Sequence, residues 1–230
     1  MINRKALSLI MNFSYTLSSN LVTLVVSLLI VLILPKLIGA LDYGYFQYYV
    51  FLSTYTGLLS FGWNDGIYLR YGGKAYKELD KSIFAFQFWG LFSFQIIVSV
   101  LIICYSVFFV TDSEKAFIYE MFAVCVVLSN SKMMILYVLQ ATNRLKDFSK
   151  IAIFEKILFV LLVIGFLMME YYEYKVMIIS DIIGRLASLI YGIYCIRDIS
   201  LKRPVDFNFH LFYSEVNKNV TLGFKLMIAT

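Results

Sequence analysis

The chain has 230 residues, of which 61% are hydrophobic and only 15% charged, and its mean hydropathy is +0.80. A soluble domain carries about 45–50% apolar and about 25% charged residues, so this balance excludes an ordinary water-soluble domain and points to repeated membrane crossing. The net charge of +5 is explained below by loop positions and gives no support for a nucleic-acid partner.

A helix needs about 20 mostly apolar residues to cross the hydrocarbon core. Six runs qualify, at 12–34, 44–69, 83–110, 116–139, 151–169 and 176–196. They are too long for strands and lack two-residue alternation, and open sheet edges cannot face lipid. The fold class is therefore all-α, a polytopic membrane helical bundle. The first run is too long for a signal-peptide core and has no small-residue cleavage site, so it reads as a retained transmembrane helix. Its polar patch holds Ser18, Ser19, Asn20, Thr23 and Ser27, with Asn20, Thr23 and Ser27 near one face.

The second run ends in "SFGWNDGIYLRYGG", residues 60–73. Gly62 and Gly66 make a GxxxG pair at which another helix can approach. Asn64 and Asp65 lie near headgroup depth, where charge is cheaper than at mid-bilayer. Asp65 and Arg70 are about 140° apart on an ideal helix and do not pair along it. Asp65 is expected to reach a cation on another helix or loop as part of an inner gate. Arg70 opens the basic loop, and Gly72 and Gly73 end the helix. The plainer alternative is an interfacial helix end with a packing motif.

The third and fifth runs show no central polar cluster and read as packing or lipid-facing helices. In the fourth, "LSNSKMMILY" sets Lys132 behind Ser129, Asn130 and Ser131. Lys132 either snorkels to the interface or faces a cavity. In the sixth, "SDIIGRLASLIYG" places Asp181 and Arg185 four apart, where they can pair. Ser180, Gly184, Ser188 and Gly192 form a stripe of small residues suited to close helix packing. The pair is either a structural lock or a cavity cation held by its acid. Residues 197–220 are either a partly helical interfacial segment or a solvated linker. From 221 a seventh apolar run begins and stops at Thr230, so a longer protein is expected. The domain expectation is 1–196 as a six-helix bundle, 197–220 as a connecting segment and 221–230 as the start of helix seven.

With the N-terminus in the cytoplasm, fifteen of the twenty Lys and Arg residues fall in cytoplasmic segments. Only Lys36, Lys115 and Lys175 fall outside, and Lys132 and Arg185 lie within spans. The three cysteines have no metal-ligand spacing, and the single histidine, His210, makes a histidine metal site improbable. No phosphate loop, nucleophile elbow or HExxH occurs, so neither catalysis nor a bound cofactor is expected, although proton or sodium coupling stays open. Polar groups concentrate in runs one, two, four and six. Converging, they would enclose a hydrated cavity whose cations, Arg185 and Lys132, suit an anionic ligand such as a phosphate.

Three stretches carry a family resemblance. "LPKLIGALDYGYFQYYVFLS", residues 34–53, resembles the first external turn of polysaccharide (O-antigen and capsule) transporters, members of the multidrug/oligosaccharidyl-lipid/polysaccharide exporter superfamily. The matching positions are Lys36, Ile38, Gly39, Asp42, Tyr43, Gly44 and Tyr45, with Lys36 where the family more often has Arg. "SFGWNDGIYLRYGG" is similar to the family's end of helix two. "LQATNRLKDFSKIAIFEK", residues 139–156, is similar to its fourth cytoplasmic turn at Gln140, Arg144 and Phe148. The resemblance implies the N-terminal lobe of a 12–14-helix transporter of the bacterial cytoplasmic membrane. Its implied activity is to flip an oligosaccharide linked to undecaprenyl diphosphate by alternating access. Implied partners are that lipid-linked substrate, membrane lipids and a polysaccharide polymerase with other assembly proteins. A multidrug or cation antiporter, which would favour the acids Asp181 and Asp65, is the alternative of the same superfamily. A membrane-embedded transferase subunit or a scaffold subunit is the alternative of another class.

Overall fold

The computed structural model describes residues 4–200 and 209–229, and the described residues hold helices and no strand. Helix α1 (Arg4–Leu32) is followed by α2 (Leu34–Ile38), with Pro35 in the first turn of α2. Helix α3 spans Ala40–Thr54, α4 Trp63–Tyr71, α5 Lys81–Phe109, α6 Ser113–Ala141, α7 Leu145–Met168, α8 Tyr174–Cys195 and α9 Arg197–Ser200. Helix α10 (Phe209–Ala229) runs unbroken, so residues 209–220 of the expected connecting segment and the apolar run after them share one helix, while residues 201–208 of that segment lie outside the described residues.

Five helical segments are long and apolar enough to cross a membrane, at Met11–Ile38, Lys81–Phe109, Ser113–Ala141, Leu145–Met168 and Tyr174–Cys195. The second expected span, 44–69, is not one helix. It divides into α3 and α4 around a 3-10 turn at Thr56–Ser60. Phe61 and Gly62 then take left-handed backbone angles, φ 49° and 75°. The cause is local: Ser53, Thr54, Thr56 and Ser60 each turn the hydroxyl back onto a carbonyl three or four residues earlier. Such bonds compete with the helical ladder, and Gly57 and Gly62 weaken it further.

A helix break inside an apolar bundle leaves backbone groups that must be satisfied by neighbours. Asn130 of α6 donates to Thr56 O at 3.0 Å, and Gln95 of α5 donates to Leu59 O at 3.1 Å. Gln95 also accepts from Asn130 at 2.9 Å. Asn64, just past the break, donates to the Asn130 carbonyl at 3.2 Å. Helix α5 is thus more than a packing helix, as its sequence suggested, because its buried glutamine holds the break.

Helix α4 packs along α10. A Cβ added at Gly66 would strike the backbone of Asn219, and one at Gly62 the backbone of Gly223. Three further contacts fix the angle. Arg70 pairs with Glu215 at 2.8 Å and donates to Asn219 at 2.6 Å, and Tyr71 donates to Glu215 at 3.1 Å. Asn219 also donates to Gln87 of α5.

The loops carrying most of the positive charge meet at one end of the bundle, called the basic end here. There Gly73 N–H donates to Ala141 O, Arg144 to Cys195 O and Trp89 to Ser200 O. Asp198 accepts from Tyr76 at 2.7 Å and pairs with Lys81 at 2.6 Å. At the opposite end Asp42 accepts from the first N–H of α8, at Tyr174, a helix N-terminus that favours a carboxylate. Two apolar clusters fill the bundle. One, towards the basic end, centres on Ile67, Phe84, Leu91, Ile135 and Ile151. The other, towards the far end, centres on Phe46, Ile118, Phe159, Met177 and Ile178. Helices α6, α7 and α8 each contribute to both, and their polar residues lie in the layer between.

Three outcomes are expected. Gly66→Ala should lower the thermal unfolding midpoint in detergent, by the equivalent of about 1–3 kcal/mol for an overpacked site. Gly44→Ala, where a Cβ meets nothing within 4 Å, should raise it by up to about 1 kcal/mol. Burial works against the Asp198 carboxylate, but the bonds from Lys81 and Tyr76 outweigh it and hold its pKa below the usual value. Its contribution is therefore present above the unfolded value of about 3.9 and is lost as pH falls through the lower folded value. Unfolding measured from pH 6 down to pH 3 (a range chosen about that value) should show a smaller acid loss in Asp198→Asn than in the parent chain.

Candidate functional site

The polar layer is built by four helices. On α8 Arg185 donates to Asp181 at 2.5 Å and to Ser129 of α6 at 2.7 Å. Asp181 also accepts from the Tyr49 hydroxyl of α3 at 2.8 Å. The i, i+4 spacing on α8 lets Arg185 and Asp181 meet, and Tyr49 donates to the same carboxylate oxygen, Oδ2. Ser129 in turn contacts Cys125 at 3.5 Å.

One turn nearer the basic end, Lys132 of α6 is ion-paired with Glu155 of α7. The same carboxylate accepts from Ser188 at 2.9 Å and lies 3.7 Å from the Lys156 ammonium. Lys132 therefore neither snorkels nor lines the cavity described below. It is buried and neutralised inside the bundle. Helix α7 begins at Leu145, six residues before the apolar run that marks it in the sequence. Glu155 and Lys156 consequently sit about 15 Å along the helix from its start. They are part of the polar layer, which corrects the reading of this helix as one without polar residues at its centre, and Lys156, counted in the sequence among the fifteen cytoplasmic cations, lies within the span.

Small residues make these approaches feasible. Ser180, Gly184, Ser188 and Gly192 are all buried on α8. A Cβ at Gly184 would come within 3.1 Å of Glu155 O, and one at Gly192 within 3.2 Å of Ile135. The stripe thus seats α8 against α7 and α6, at the level where the charges pair.

A cavity of about 210 Å³ opens on this layer between α1, α3, α7 and α8. Its polar lining is Ser27, Ser53, Thr54, Lys156, Asp181 and Arg185. The charged groups that meet in the layer are three cations, Lys132, Lys156 and Arg185, and two carboxylates, Glu155 and Asp181. One positive charge is in excess. Lys132 and Arg185 hold the closer partners, so the excess resides at Lys156, whose side chain keeps 29% of its surface exposed. The layer can therefore receive an anion at Lys156 with the shorter Lys132–Glu155 and Arg185–Asp181 pairs left in place.

The remaining residues singled out in the sequence lie elsewhere. Asn20 is exposed on α1 and is not among the residues lining the cavity, whereas Ser27, two turns further on, is. Asn64 belongs to the helix break, with its Oδ1 buried and without a hydrogen-bond partner. Asp65 meets a hydroxyl, accepting from Tyr137 of α6, where a cation had been expected. Arg70 is bound to α10. Asn64, Asp65 and Arg70 thus all lie on α4 and do not line the cavity beside Arg185. Among the described residues no cluster of His, Cys, Asp and Glu could hold a metal ion.

Two residues of the polar layer, Glu155 and Lys156, escape sequence reasoning. The signal that finds them is the turn at 142–144. In an antiparallel hairpin, residues equidistant from the turn lie at equal depth. Lys132 precedes Asn143 by eleven residues and Glu155 follows it by twelve.

No family model matches the chain, and no curated protein or solved structure does.

Removing one partner of a buried pair leaves an uncompensated charge, at a cost of about 3–5 kcal/mol, whereas removing both is far milder. Glu155→Gln should therefore lower the unfolding midpoint sharply, and Lys132→Met combined with Glu155→Gln should recover most of the loss. Equal destabilisation of the single and double variants would show that the pair is not what holds α6 to α7.

Proposed function

We propose that this chain belongs to a transporter that moves an anionic, lipid-linked oligosaccharide across the bacterial cytoplasmic membrane. The observation that carries the proposal is the cavity of about 210 Å³ whose wall holds Lys156 and Arg185 beside a network with one uncompensated positive charge. Phosphate oxygens are matched by the guanidinium fork and by a lysine point charge. The three sequence stretches that resemble polysaccharide transporters supply the sugar and the isoprenoid diphosphate carrier of this reading. The chain then contributes six spans, with 40–71 as a discontinuous second span, and α10 leads into the seventh. The N-terminus and the basic end lie in the cytoplasm, in keeping with the excess of Lys and Arg there.

Transport proceeds by alternating access around the layer that holds Arg185. Asp181 and Tyr49 fix the guanidinium, so that the arginine meets the ligand without losing its counter-ion. Lys156, with the looser partner, is the group that changes most on binding. The antiporter alternative needs an acid free to hold a cation. Asp181 is occupied by Arg185 and Tyr49, which favours the anionic ligand.

Lys156→Ala should lower export of the surface polysaccharide in the producing cell while protein level and membrane insertion stay unchanged. Binding of a phosphate-bearing lipid to the purified protein should weaken by about tenfold, the equivalent of one charge-assisted contact. Unchanged export and unchanged binding would overturn the reading.

A further inference from the structure

The geometry points to the seam between α1 and α7 as a groove for the hydrocarbon chain of the amphiphile whose phosphate rests at Lys156 and Arg185. This rests on the anionic-ligand reading of the cavity and adds to it where the lipid chain lies.

Beside the polar cavity is a second one, of about 260 Å³, lined only by Val, Leu, Ile and Phe side chains. The two share Ile30 and Phe159 in their walls, so one continues into the other. Both helices present the same sequence of surfaces. On α7 Lys156 is followed by Val160, Val163, Ile164 and Leu167, and along α1 Ser27 is followed by Ile30 and, in the turn just past its end, Ile33. Steps of three and four residues keep these side chains on one helix face. From Lys156 to Leu167 the face runs about 16 Å. Val26, Leu34 and Val163 form a buried floor, while Leu29, Ile33, Leu37 and Ile164 are 41–48% exposed along the rims. The groove is open along its side, so a chain can enter laterally from lipid.

Any seam between apolar helices can admit an acyl chain. This seam differs in ending on a cavity with an excess positive charge, and that charge complementarity selects an anionic head. The orientation is also defined. Lys156 lies about 16 Å from the basic end of α7, and the groove runs from it towards the opposite end. A lipid of the leaflet on the basic side points its chains in that direction. The site would hold such a lipid with its head drawn inward by roughly half the thickness of the hydrocarbon core.

The test uses the full chain purified in detergent and phosphatidic acid carrying a diazirine in its acyl chain. After illumination, adducts are mapped by mass spectrometry. Adducts should concentrate on Ile33 and Val163 relative to Ile97 and Phe108, which are exposed on α5. Ile164→Trp, at an exposed rim where folding tolerates the larger ring, should reduce them. Lys156→Ala should reduce them by about tenfold. A diacylglycerol with the same photoreactive chain should label the groove no more than it labels α5. Equal labelling of the groove and of α5 by phosphatidic acid overturns the groove. If inorganic phosphate or a short-chain phosphate still binds in a Lys156-dependent way, the cavity reading survives that failure. Groove labelling that is equal for the two probes and indifferent to Lys156→Ala overturns both.

Discussion

A polar group buried among apolar helices has no water to fall back on, and every feature that positions the site follows from that constraint. Lys132 is held by Glu155, Arg185 by Asp181 and Ser129, and Asp181 by Tyr49 as well. The open carbonyls of the broken helix are held by Asn130 and Gln95. Each bond crosses between helices, apart from the one within α8. In lipid, apolar surface gives little preference for one helix partner over another, so such bonds and close packing of small residues decide which helices touch. The charges that line the cavity are thus also the groups that assemble the bundle around it.

The two ends of the polar layer have different duties. Around Lys132, Glu155 and Ser188 the groups are buried and mutually satisfied, and they lock α6, α7 and α8. Around Arg185, Asp181 and Lys156 the same network reaches a cavity and holds a surplus charge. The difference is one of access. Lys132 points into the bundle, while Lys156, the next residue after its partner Glu155, is turned about 100° round α7 and comes out beside α1. A single Glu-Lys step on one helix thereby serves both the interior and the cavity.

The break at 55–62 gives the bundle a division that a continuous helix would not. Helix α3 belongs with the Tyr49–Asp181 contact and the far apolar cluster. Helix α4 belongs with α10, joined by Gly62, Gly66 and Gly223 and by the Arg70–Glu215 pair. The left-handed Phe61 and Gly62 lie at the joint. Asn130 is adjacent in sequence to Ser129, which binds Arg185, so one turn of α6 supports the break on one side and the cation on the other.

Much of this was legible in the chain itself. Apolar runs of sufficient length determined five of the spans, and the four-residue spacing determined the Asp181–Arg185 pair and the small-residue stripe of α8. The Gly62–Gly66 spacing marked a close approach without naming α10 as the partner. The break in the second span was written in its Ser, Thr and Gly content, but hydropathy averages over such residues and reads through them. What only the tertiary structure decided was partnership. Lys132 had no partner within reach along its own helix, and whether it snorkelled, faced a cavity or was neutralised depended on Glu155 arriving from α7 at the same depth. Asn20 and Ser27 share a face of α1 two turns apart, and the depth at which α1 meets α7 puts Ser27 at the cavity and leaves Asn20 short of it. Sequence spacing fixes what a helix carries on each face. Which face meets which neighbour is settled only when all the buried polar groups are satisfied together.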